Sequence, residues 1–110
     1  MPAVNVAALS EVAVDAAALG DNILVPSVAL KGVRVFKLFL VFDGATVVTF
    51  RSGDGDGVAL SGPISMLAGG SIVLDFDGYP WFTSTAGLAF IIHLQTAVQV
   101  SGRVYYLQAK

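Results

Sequence analysis

Apolar and polar positions alternate along most of this chain in short runs, and the runs are broken by Gly, Asp, Asn, Ser and Pro. A period of two is the signature of half-buried strands, because successive side chains in a strand point to opposite faces. Residues 23–28 form one such run, opened by Asp21-Asn22. Residues 33–42 form a longer one. Asp43-Gly44 follows, a strong two-residue hairpin signal, since a type I′ turn asks for positive φ at both positions. The expected return strand is 46–51, with Val48 and Phe50 on one face and Val47 and Thr49 on the other. Residues 58–61 read as a short strand bounded by Gly62-Pro63, which places it at an edge or a bend. Residues 71–77 alternate cleanly, with Ile72, Leu74 and Phe76 on one side and Ser71, Val73, Asp75 and Asp77 on the other. Residues 81–84, 90–95 and 98–108 complete the set.

About eight short strands with tight connections predict an all-β fold. The expected architecture is an antiparallel β-sandwich or jelly-roll-like barrel. Two parts are expected, an N-terminal arm or edge segment at 1–20 and a β-sandwich domain at 21–110. The Ala-rich stretch 11–19 also admits a helical turn or two, but the segment is apolar without strong helix caps, which favours an arm or an edge strand.

The run 33–42 is apolar on both faces. Val35, Phe39 and Val41 alternate with Phe36, Leu38, Leu40 and Phe42. One face of a two-layer sandwich is core, so the other needs a cover: a loop, the N-terminal segment or a neighbouring subunit. Composition adds weight to this. A chain of 110 residues buries roughly two thirds of its unfolded surface, yet 55% of its residues are apolar and only 13% charged. Ordinary domains carry about 25% charged residues. The surplus of apolar side chains points to a partner surface, most simply a second copy. Candidate interface residues are Val35, Phe36, Phe39 and Val41, the aromatic group Tyr79, Trp81 and Phe82, and Ala3, Val4 and Val6 of the N-terminal segment.

Charge and candidate chemistry narrow the function classes. The six Lys and Arg form no run, and the net charge is −2, so nucleic acid is not an expected partner. Cysteine is absent, which removes disulfides and thiolate metal sites. The stretch between Gly78 and Gly102 lacks charge but contains Pro80, His93, Gln95 and Gln99, a poor bilayer helix, and no basic residue precedes an apolar run at the N-terminus as in a signal peptide. His93 is the only histidine and shares a face with Ile91 and Gln95. A general base or a metal ligand needs partners that the sequence does not announce. Asp54-Gly55-Asp56-Gly57 matches part of a calcium loop, but 58–66 supply no acid, and turn chemistry accounts for it. Asp75 and Asp77 lie two apart on one strand face rather than across a cleft. Neither Ser61 nor Ser101 sits in a G-x-S-x-G turn. No catalytic residue, metal or cofactor is therefore expected.

The second half of the chain carries a longer pattern. Leu60-Ser61-Gly62-Pro63-Ile64-Ser65-Met66-Leu67-Ala68-Gly69-Gly70 is followed by Ile72-Val73-Leu74. Gly78-Tyr79-Pro80-Trp81-Phe82-Thr83 and Thr85-Ala86-Gly87-Leu88-Ala89-Phe90 come next. Val98-Gln99-Val100-Ser101-Gly102-Arg103-Val104-Tyr105-Tyr106 closes it. In this order the segments resemble a group of short proteins encoded among tailed-phage structural genes, with a "GPL-L-A-GG" turn, then "GWF-T--G-AL-L-L", then "V-G---Y". The chain departs from that pattern at Leu88-Ala89-Phe90, where an acidic residue usually precedes the apolar pair. The resemblance covers roughly residues 20–108. It implies a β-sandwich virion protein, a head decoration or cement protein that sits as a trimer on the capsid exterior and clamps neighbouring major capsid subunits. Before assembly such a protein is soluble in the host cytoplasm.

Overall fold

The computed structural model describes residues 8–53 and 57–109. Ten strands build two antiparallel sheets. They are β1 (Ser10–Ala16), β2 (Gly20–Val25), β3 (Gly32–Phe42), β4 (Thr46–Ser52), β5 (Val58–Ala59), β6 (Ile64–Met66), β7 (Ser71–Leu74), β8 (Phe82–Thr83), β9 (Phe90–Leu94) and β10 (Val100–Ala109). The first sheet runs β1-β10-β3-β7, with β8 also on β3. The second runs β2-β9-β4-β5, with β6 also on β4. The all-β, two-sheet expectation holds. Each of the eight runs read from the alternation has a strand, and β1 and β6 are the additional two.

Alternation fixes which side chains enter the core. Leu38, Leu40 and Phe42 of β3, Val100 and Val104 of β10, and Val14 and Ala16 of β1 point inward from the first sheet. They meet Val48 and Phe50 of β4, Phe90, Ile92 and Leu94 of β9, and Leu24 and Val25 of β2. At one end of this core Phe50, Phe82 and Phe90 stack on one another, with ring centroids 4.9 to 5.7 Å apart. Gly102 lets β10 approach β3, since a Cβ there would lie 1.9 Å from the carbonyl oxygen of Phe39.

Two expectations need correction. Asp43-Gly44 is not a hairpin turn, because β3 and β4 belong to different sheets. Neither residue adopts the positive φ that a type I′ turn requires. Instead the chain steps from one sheet to the other, held by the Asp43 N–H donating to the Gln99 carbonyl (3.1 Å) and the Gln99 N–H donating to Asp43 Oδ1 (3.0 Å). Of the alternatives read for the N-terminal segment, Ser10–Ala16 takes the strand, pairing with β10 at the edge of the first sheet among the described residues. Backbone pairing there outweighs the helix propensity of alanine.

The second correction concerns the two-faced strand. Pairing of β10 with β3 slips between Tyr105 and Tyr106, so Tyr105 faces Lys37 and Tyr106 faces Val35. Phe36 is the extra residue of a bulge, and the inward phase changes there. Val33 and Val35 are inward before it, Leu38, Leu40 and Phe42 after it. Val35 and Phe36 are fully buried, so neither offers surface to a partner. Phe36 sits beside Phe76, with centroids 6.3 Å apart. Ala3, Val4 and Val6 lie outside the described residues, as do Asp54 and Asp56.

Candidate functional site

Exposed apolar side chains occur on several parts of the surface, and on the outer face of the first sheet three of them lie side by side. Phe39 is 43% exposed, Val41 46% and Val73 59%. Register makes them neighbours: Phe39 faces Val73 across β3 and β7, and Val41 follows two positions on. Trp81 adjoins this group. Its backbone N–H donates to the Val35 carbonyl (2.7 Å), and its indole N–H donates to the Asp75 carbonyl at the end of β7 (2.8 Å). The ring is thus held by its polar edge and is 47% exposed. Tyr79 is similarly exposed, in a turn closed by its N–H donating to Asp77 Oδ1 (3.1 Å). Phe82 points the other way, half-buried in the aromatic stack of the core. Of the residues named from the sequence, the structure therefore groups Phe39, Val41, Trp81 and Tyr79 on or beside one surface. Val73 belongs with them and was missed. The alternation puts it on one face with Ser71, Asp75 and Asp77, but its place opposite Phe39 depends on a pairing between β3 and β7 that no local pattern announces.

Charged side chains border this apolar band. The Lys37 ammonium lies 5.2 Å from the centre of the Tyr105 ring, and Arg103 pairs with Glu11 on the neighbouring edge strand. These cations are engaged within the face. An apolar band with a polar border suits contact with another protein surface.

His93 acquires partners that the sequence did not show. On the outer face of the second sheet its Nδ1 lies 2.6 Å from Asp21 Oδ1, with Arg51 Nη1 3.7 Å from the same oxygen. Register places Asp21, His93 and Thr49 in one row across β2, β9 and β4. Among the described residues no hydroxyl hydrogen-bonds to the ring, so the row lacks the nucleophile-to-base contact of a hydrolase. The arrangement acts as a cross-strand tie. Ser61 is likewise committed to the backbone, accepting from the Phe50 N–H (3.1 Å) and donating to the Gly62 carbonyl (2.9 Å). Asp75 and Asp77 flank the Trp81 loop, where the Asp75 carbonyl accepts from the Trp81 indole N–H and Asp77 Oδ1 from the Tyr79 N–H. Among the described residues no three His, Asp or Glu side chains converge to hold a metal ion.

A groove of about 330 Å³ runs between the edge strands β1 and β2, lined in part by Val12, Val14, Asp15, Ile23, Leu24 and Pro26. It marks one side of the sandwich, where among the described residues each sheet ends in an edge strand. Among the described residues no helix is long and apolar enough to cross a membrane.

No family model, no curated protein and no solved structure matches this chain.

Proposed function

We propose that this protein is a non-enzymatic structural component of a tailed-phage virion, a head decoration protein that self-associates as a trimer and clamps neighbouring major capsid subunits. The observation that carries the reading is the exposed band Phe39, Val41 and Val73 on an otherwise closely packed sandwich. Apolar surface of this kind on a short-looped scaffold favours assembly over chemistry. Clamping stabilises a shell by linkage, because a ligand that binds only the assembled lattice shifts the equilibrium towards it. On the capsid exterior the open edge of β1 offers backbone groups for strand addition to or from a neighbour.

The strand order supports the same reading. If β5 with β6 and β7 with β8 are each taken as one interrupted strand, the sheets become β1-β10-β3-β7/β8 and β2-β9-β4-β5/β6. Eight strands in that order are a jelly roll, an architecture found in viral capsid and lectin domains. The lectin side of that comparison leaves a second reading, a carbohydrate- or receptor-binding module, which the exposure of Trp81 and Tyr79 favours.

Cryo-electron microscopy of the phage particle that carries the protein tests the first reading. Trimeric density on the outside of the head supports it, and absence from the head overturns it. Trp81 is the only tryptophan, so its fluorescence isolates the second reading. Saturable change on glycan addition supports a sugar site, and a flat titration removes it.

A further inference from the structure

A closed three-fold ring repeats one contact three times, and the two sides of that contact are different surfaces. The exposed band of the first sheet is one side. We propose that the other is the turn between β2 and β3, which inserts Leu30 into the band of the next copy. This rests on the reading of the protein as a trimer.

The turn Val28–Lys31 is closed by the Lys31 N–H donating to the Val28 carbonyl (3.1 Å). Its third residue, Leu30, has φ +67°, and no other non-glycine residue among those described has positive φ. That position normally belongs to glycine, because a Cβ there meets the backbone. Leu30 is also 70% exposed, and Val28 beside it is exposed too. Neither the backbone nor the core of its own chain accounts for leucine here. An apolar side chain in a strained turn suits a contact outside the chain.

The band cannot receive Leu30 from its own chain. From Gly32 to Phe39 the strand β3 covers about 23 Å at 3.3 Å per residue, and the turn lies at its far end. Charge identifies the occupant as a second copy. Lys31 adjoins Leu30 on the turn, and Asp75 follows Val73 at the border of the band. Among the described residues neither makes an ion pair within the chain. Seating Leu30 against Phe39 and Val73 of a neighbour brings Lys31 towards that neighbour's Asp75.

The test is the mass of the purified chain by analytical ultracentrifugation over a concentration series. Leu30→Gly keeps or raises the thermal midpoint, because it releases the backbone strain, yet weakens the trimer at least about tenfold. Lys31→Asp and Asp75→Lys each weaken it as well, and the two together restore it. A Leu30→Gly chain that remains as trimeric as the wild type, or a charge reversal that fails to recover the loss, overturns the proposed contact. A wild-type chain that stays monomeric throughout overturns self-association itself, which separates the two failures.

Discussion

Single positions decide where this sandwich tolerates change. Gly102 is the sharpest case, because its backbone passes so close to Phe39 that a methyl group has no room. Gly102→Ala forces β10 away from β3 at the centre of the first sheet. It is expected to cost about 3 kcal/mol, seen as a lowered denaturant midpoint with unchanged slope. His93 predicts the opposite scale of effect. Its contact with Asp21 is partly exposed, and a double-mutant cycle with Asp21→Ala and His93→Ala is expected to give a coupling of about 0.5–1 kcal/mol. A coupling near zero would show that the pair ties nothing together. Phe39 and Val41 were legible as outward residues because they follow the bulge in regular alternation. Val35 and Phe36 were not, because the bulge arises in the register between β10 and β3, over a sequence distance that a local pattern does not span.

Strands were legible at the scale of the element, and their partners much less so. Asp43-Gly44 has the composition of a hairpin, but the hydrogen bonds between Asp43 and Gln99 direct the chain into the other sheet. Composition reports which φ values a residue tolerates and not which it adopts. β6 escaped notice because it has only three residues beside Pro63. β1 was ambiguous because Ala-rich sequence suits either structure, and only pairing with β10 settles it. The link from β1 to β2 depends on Asn22, whose Oδ1 accepts from the Ala18 N–H and whose Nδ2 donates to the carbonyls of Ala18 and Gly20. Asn22→Ala is expected to cost about 1–2 kcal/mol and to speed amide exchange in β1 and β2 ahead of β3 and β10. Uniform acceleration across all four strands would contradict a local role.

For the whole molecule, composition announced a surplus of apolar surface, and the fold locates it. A two-sheet sandwich has one shared interior, and the outer face of the first sheet holds part of what that interior cannot take. The all-β class was readable from alternation, and the surplus of apolar side chains from charge content. The division of strands between sheets was not, because all the pairings along the paths β1-β10-β3-β7 and β2-β9-β4-β5 join strands distant in sequence, β4 with β5 excepted. The trimer reading requires the outer face of the first sheet to be buried between protein chains. It is tested most directly by the solution mass of the wild type beside Phe39→Asp. The substitution adds a charge at a surface position and leaves the interior untouched, so folding is retained and the thermal midpoint shifts little. The account predicts a wild-type trimer and a Phe39→Asp monomer at the same concentration. Equal masses for the two chains would contradict it.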